Sequence, residues 1–202
     1  MNPGVTAPLL VLASSSPRRL ALLRQIGLEP DRIDPAALDE KLRPGELPAA
    51  HAIRLAEEKA RAVIPRHPGA FILAADTVVA CGRRVLPKTE DETSARFCLE
   101  LLSGRRHRVH GGIAVAGPDG RLTSRRVDSQ VAFKRLSEAE IGAYLLTGEW
   151  QGKAGGYAIQ GRAAALIRWV CGSYSNVVGL PLFETAQLLV GRGYRPSWTA
   201  NC

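Results

Sequence analysis

Two kinds of apolar pattern alternate along this chain: short runs apolar at every position, and longer runs with apolar residues every three or four positions. The first run, "PLLVLA" at 8–13, reads as a strand buried on both faces of a sheet. Three serines interrupt it, and "RRLALLRQI" follows with apolar residues at 20, 23 and 26, a helical spacing. Ser16 suits an N-cap, Pro17 the first helical position and Gly27 the end. The stretch therefore predicts strand, tight loop and helix N-terminus.

The same two patterns recur downstream. Residues 29–47, rich in proline, predict a loop, and 49–64 predict a helix with a stripe at 53, 56, 60 and 63. "FILAADTVVA" predicts a second buried strand, followed by a turn at "CGRR". Thr89 and Glu92 have the spacing of a capping box before a helix that ends at Gly104; Ser137 and Glu140 repeat that spacing. "HRVHGGIAVAG" and "RLTSRRVDSQVAF" predict a hairpin, "AALIRWVCG" a strand, and "LPLFETAQLLVGRG" a last helix. A glycine-rich loop, "TGEWQGKAGGYAIQG", lies between. Mixing strand–helix units with a long hairpin predicts an α/β fold: a mixed sheet with helices on its faces. One domain is expected over 1–193, with a loosely ordered tail at 194–202.

Composition narrows the function classes. The chain has 202 residues and a formal net charge of +8, from 22 Arg and 5 Lys against 19 acidic residues. A basic balance suits a polyanionic partner, but the arginines are scattered and aromatics are only 5%, which favours a solvated surface over a nucleic-acid footprint. No apolar run approaches a membrane span. The run at the N-terminus has no preceding positive charge, against a signal peptide. Cys81, Cys98, Cys171 and Cys202 form no CxxC pair, which argues against a zinc site and predicts a reducing, cytoplasmic setting. There is no GxSxG elbow, and the four histidines lack metal-ligand spacing.

Candidate chemistry gathers in a few places. Ser14, Ser15 and Ser16 with Arg18 and Arg19 at a helix N-terminus form either a phosphate cradle or a cap with solvated arginines. Asp76 interrupts an otherwise apolar strand; a buried carboxylate needs a partner or a metal, which favours a functional position over a frayed strand end where Asp76 caps a turn with Thr77. Asp39 or Glu40 could join Asp76 around Mg²⁺, or be solvated loop charges. Lysine is scarce here, so Lys59, Lys88 and Lys153 either mark places where a compact charge is needed or are ordinary surface lysines, the reading that fits any one of them better alone. Gln160 could read a base edge or be a loop amide.

Taken in order, "LVLASSSPRRLALL", "RLAEEKA", "AADTVV", "VLPK", "KAGGYAIQG" and "GSYSNVVGLPLFET" resemble the Maf family of nucleoside triphosphate pyrophosphatases, over about residues 9–190. The resemblance implies an elongated mixed sheet related to the inosine-triphosphate pyrophosphatases, with two lobes around a deep cleft. It implies hydrolysis of a nucleoside triphosphate to monophosphate and pyrophosphate with Mg²⁺ or Mn²⁺, in a cytoplasmic homodimer. It assigns Asp76 as the catalytic acidic residue, the proton acceptor; Asp76 and Glu40 are the metal ligands expected from the carboxylates at hand. Arg18, Thr77 and Gln160 match positions that set base preference, in the combination of the dTTP/UTP branch rather than the 7-methyl-GTP branch. Ser14, Arg19, Glu40, Lys59, Lys88 and Lys153 match polar positions lining the cleft, and Ser16 joins them as a candidate phosphate-binding hydroxyl of the serine turn. Two positions depart from the family pattern: Pro87 precedes Lys88, and Arg162 follows "IQG". A second reading is a non-catalytic nucleotide- or nucleic-acid-binding regulator of septum formation.

Overall fold

The first two fully apolar runs lie side by side. In a computed structural model describing residues 8–196, β1 (Leu10–Leu12) runs parallel to β3 (Phe71–Cys81). A two-residue strand, β2 (Arg32–Ile33), pairs with the far side of β1. The hairpin of β5 (Arg106–Ala116) and β6 (Leu122–Phe133) then extends the sheet antiparallel, and β7 (Ile167–Cys171) closes it in the order β2-β1-β3-β5-β6-β7. A short strand, β4 (Arg84–Leu86), folds back on the end of β3.

This register leaves a gap in the sheet. β5 pairs with β3 from Ile72 to Ala80 along one edge. On the other edge, β1 covers Phe71 to Leu73 and β4 covers Val79 to Cys81. Between them, Ala74 to Val78 have no strand partner on that edge among the described residues. Asp76 and Thr77 sit in this opening, so a carboxylate in the middle of an apolar strand borders a cleft instead of the core.

Helices cover both faces. α1 (Pro17–Gln25), α3 (Glu92–Leu102), α4 (Glu138–Leu145) and α6 (Leu182–Gly191) contribute to the larger core cluster, with Leu10, Leu12, Leu73, Ala75, Val109 and Phe133. α2 (Pro48–Val63) packs on the opposite face over Val11, Ile72, Ala74 and Ala114. Strand alternation divides β3 between the faces, so Asp76 points to the α2 side and Thr77 to the other. The close approach of α2 depends on Gly112, opposite Asp76 in the ladder: a Cβ there would lie 2.1 Å from the Ala52 carbonyl oxygen. Two turns further along α2, Lys59 is carried onto Asp76.

Several local expectations need correction. The buried stripe of α2 runs through Ala52, Leu55, Ala56, Lys59, Ala60 and Val63, not through Ile53. Thr89 and Glu92 form no capping box: Asp91 is the N-cap and accepts from the Ser94 amide, while Thr89 is buried. The Ser137–Glu140 box is present with both reciprocal bonds. The strand expected from Ala164 begins only at Ile167, because residues 162–166 form a 3₁₀ turn, and a five-residue helix, α5 (Tyr174–Val178), precedes α6. Ser16 stands at the N-cap of α1, but its side chain makes no capping bond. Beyond Gly193 the chain is not all loose, since Tyr194 packs edge-on against Phe71 at 5.2 Å. Cys202 lies outside the described residues. Among those described, no helix is long and apolar enough to cross a membrane.

A buried histidine in the core makes stability depend on pH. His107 is buried, its Nε2 lies 2.7 Å from the Tyr157 hydroxyl, and Phe133 packs beside both rings. Burial pulls the His107 imidazole down to about 4, from an ordinary 6.5. The folded state thus prefers the neutral ring, while the unfolded chain takes a proton below its own pKa. His107's contribution is complete above about pH 6.5 and is lost as pH falls toward 4, roughly 3 kcal/mol in all. Urea unfolding at pH 7 and pH 4 should show this loss, and His107→Phe should flatten the slope between them. An unchanged slope in that variant would show that His107 does not drive it.

Candidate active site

The opening beside β3 is the mouth of a cleft of about 510 Å³. The residues that the family resemblance assigns to the site all line it: Ser14, Ser16, Arg18 and Arg19 at the β1–α1 turn; Glu40 from the loop after β2; Lys59 on α2; Asp76 and Thr77 on β3. Lys88 follows β4, and Lys153 and Gln160 belong to the glycine-rich loop. Five cationic side chains thus face two carboxylates, so the cleft favours an anion more negative than its own acidic groups.

The charges form a chain. Lys59 Nζ lies 2.7 Å from Asp76 Oδ1 and 2.5 Å from Glu40 Oε1, and the other Glu40 oxygen lies 2.5 Å from Lys88 Nζ. Asp76 and Lys59 are both buried, which is tolerable because each has an opposite charge in contact. Burial alone would raise the Glu40 carboxyl, but hydrogen bonds and charge from Lys59 and Lys88 bring it down to about 2. The "DE" pair separates accordingly, with Glu40 in the cleft and Asp39 on the surface beside Lys41.

Arg19 ties three segments together. Its Nε donates to the Gly179 carbonyl at 2.9 Å, Nη1 to Ser14 Oγ at 3.0 Å and Nη2 to Thr77 Oγ1 at 3.3 Å. Of its five N–H donors, two remain for a ligand. Burial lowers its pKa and the charges of Asp76 and Glu40 offset part of that effect. Arg18 is less committed: its Nε is buried without a hydrogen-bond partner among the described residues. The β1–α1 turn is therefore more than a cap. Its Ser16 hydroxyl makes no capping bond, and its two arginines face the cleft.

The opposite wall is set by a residue whose role the sequence misassigns. Thr89 donates its hydroxyl to the Trp150 carbonyl at 2.7 Å. Its backbone exchanges bonds with Lys153 and Gly152, at 3.1 and 2.8 Å, and Lys88 bridges to Ala154. Lys88 and Lys153 thereby come from two segments clasped together, and Pro87 before Lys88 does not keep the lysine out of the cleft. Lys153 Nζ donates to the Gln151 carbonyl, and burial followed by the charge of Arg18 lowers its pKa. Gln160 is exposed at the rim. Its loop is held by Tyr144, whose hydroxyl accepts from the Ala158 amide, and by Glu149, which accepts from the Arg162 amide at 2.8 Å. Arg162, the departure after "IQG", therefore contributes a backbone anchor.

With this geometry in hand, the profile of the Maf-like protein family matches residues 9–191. The chain belongs to the Maf family. Two relatives named dTTP/UTP pyrophosphatase are each 68% identical over 187 residues. The one from Paramagnetospirillum magneticum is covered to 98% of its length, the one from Rhodospirillum rubrum to 89%, in both cases by 93% of this chain. Among solved structures, a HAM1 protein from Coxiella burnetii superposes with a TM-score of 0.51 at 17% identity, over 92% of this chain and all of that one. The Maf chain thus shares its mixed α/β fold with a HAM1 protein.

Sequence reasoning overlooked several residues in this Maf cleft. Tyr157, Val177 and Gly179 line it, and Asn176 and Thr89 lie just behind. Ser173 three positions before Asn176 is a capping signal, and Gly179 is a stop signal, so α5 was legible in principle. Nothing in the linear pattern shows that Thr89 reaches Trp150, because the contact spans 61 residues.

Proposed function

We propose that this Maf protein hydrolyses dTTP and UTP to the nucleoside monophosphate and pyrophosphate. The observation that carries the reading is Asp76: a buried carboxylate at a gap in the sheet, inside a cleft where cations outnumber acids. A triphosphate would be held by the Ser14–Ser16 turn, the free donors of Arg18 and Arg19, and the ammonium groups of Lys88 and Lys153. Asp76 would take a proton from a water whose oxygen bonds to the α-phosphorus. The bond from the α-phosphorus to the bridging oxygen breaks, and pyrophosphate leaves with its charge met by the lysines. Thr77, Arg18 and Gln160 would set the preference for the pyrimidine, Gln160 through an amide that both donates and accepts.

A divalent cation fits this donor set. Glu40 and Asp76 converge within reach of one positive group, the Lys59 ammonium, and their carboxylates are the hard oxygen donors that would hold the cation. Among the described residues no group of three or more His, Cys, Asp or Glu is assembled, so the remaining ligands would come from the triphosphate and water. When bound, Mg²⁺ or Mn²⁺ would neutralise phosphate charge and lower the pKa of a bound water. A cytoplasmic homodimer, a single domain over 1–193 and a tail at 194–202 complete the reading.

The test is pyrophosphate release from dTTP, UTP, CTP, 7-methyl-GTP, ITP and dATP with each metal. Preference for dTTP and UTP is the expected result; no release from any would favour a non-catalytic regulator. Gln160→Glu should shift the ratio of dTTP to CTP hydrolysis by about tenfold, since it turns an amide donor into an acceptor. An unchanged ratio would remove Gln160 from base selection.

A further inference from the structure

The adjacent glycines of β5 face opposite ways. Gly112 admits α2, as described above. Gly111 pairs with Thr77 and faces α5, where a Cβ would lie 1.9 Å from Asn176 Oδ1. Asn176 is fully buried. Its amide nitrogen lies 3.2 Å from the Val109 carbonyl, 3.1 Å from the Val127 carbonyl and 3.0 Å from Ser129 Oγ. Its Oδ1 has no hydrogen-bond partner among the described residues. A buried acceptor left unsatisfied calls for a reason beyond filling space.

That reason lies three residues on. α5 has only five residues, too few to hold a helix unaided. It ends at Gly179, whose φ of 145° turns the chain in a way that favours glycine. The Gly179 carbonyl accepts from Arg19 Nε at 2.9 Å and from the Thr77 hydroxyl at 3.3 Å. Asn176 is thus a buried side-chain link between α5 and the sheet, beside the Ser173 backbone that exchanges bonds with Ser129 Oγ, and α5 delivers the acceptor that aims two cleft residues.

We infer that Asn176 is a positioning residue: seated over Gly111 and bonded to β5 and β6, it sets the Gly179 carbonyl and through it Arg19 and Thr77. The kinetic part of the test rests on the pyrophosphatase reading; the spectroscopic part does not. Asn176→Ala removes the anchor, and Gly111→Ala displaces the same amide from the other side. Each folded variant should lose about 10- to 100-fold in kcat/KM for dTTP at a temperature well below its Tm, as misplacement of binding groups does. The double variant should be no worse than the poorer single one, because both break one contact. In ¹H–¹⁵N spectra the Arg19 Nε–H resonance should move or broaden in both variants. The Trp150 indole N–H, bonded to the Leu145 carbonyl, should stay as an internal control. A folded Asn176→Ala protein with an unmoved Arg19 resonance and wild-type kcat/KM would overturn the inference, as would losses that multiply in the double variant. If Asn176→Ala does not fold, Asn176→Ser, which keeps one donor, is measured by the same two criteria. Should the wild type release no pyrophosphate, the proposed activity falls and the Arg19 resonance still decides the positioning role.

Discussion

Asp76→Asn is expected to lower kcat for dTTP about a thousandfold while leaving a folded protein. The substitution is nearly isosteric. The introduced amide would keep an oxygen for the Lys59 ammonium, which also retains Glu40 as its charge partner. What is lost is a group able to accept a proton at the gap between β1 and β4. Far-ultraviolet circular dichroism and Tm establish that the fold persists, and pyrophosphate release reads the loss. Near-normal turnover by a folded variant would remove Asp76 from the chemistry.

Lys59→Met should instead act first on stability, with a loss of about 3–5 kcal/mol near pH 7, because it strips the cation from a buried carboxylate. Asp76 is only 4% exposed and has no other cation bonded to it among the described residues, whereas Glu40 keeps Lys88. The methionine fills most of the space of the lysine side chain between α2 and β3, so the loss reports charge and not a cavity. Urea unfolding at pH 7 measures it. The deficit should shrink when Asp76→Asn is combined with Lys59→Met, because the buried charge is then gone. A deficit that is equal in both backgrounds would mean that the Asp76–Lys59 pair does not stabilise the fold.

The residues at the site differ in how plainly the sequence announced them. Asp76 stood out because an ionisable group inside "FILAADTVVA" violates the apolar pattern. Glu40 did not, because a charge in a proline-rich loop looks solvated until Lys59 and Lys88 are brought to it. Thr89 was misread, since its local spacing to Glu92 imitates a capping box while its hydroxyl is committed to Trp150. Asn176 left only a weak local trace, a serine three positions before it.

Read alone, the amino-acid order determined the elements with strong periodicity: β1, α1, α2, β3, the β5–β6 hairpin, α4 and α6. It also determined which polar residues were out of place, and the ordered motifs that pointed to the Maf family. Those signals are local, set by the 3.6-residue and two-residue repeats and by caps within one turn. Only the tertiary structure decided that β1 and β4 share one edge of β3 and leave Asp76 and Thr77 uncovered between them. It alone decided that Gly111 and Gly112 admit Asn176 from one face and α2 from the other. Both depend on strand register and on backbones approaching across the sheet, and these are fixed by contacts between residues tens of positions apart, which no short window of the chain contains.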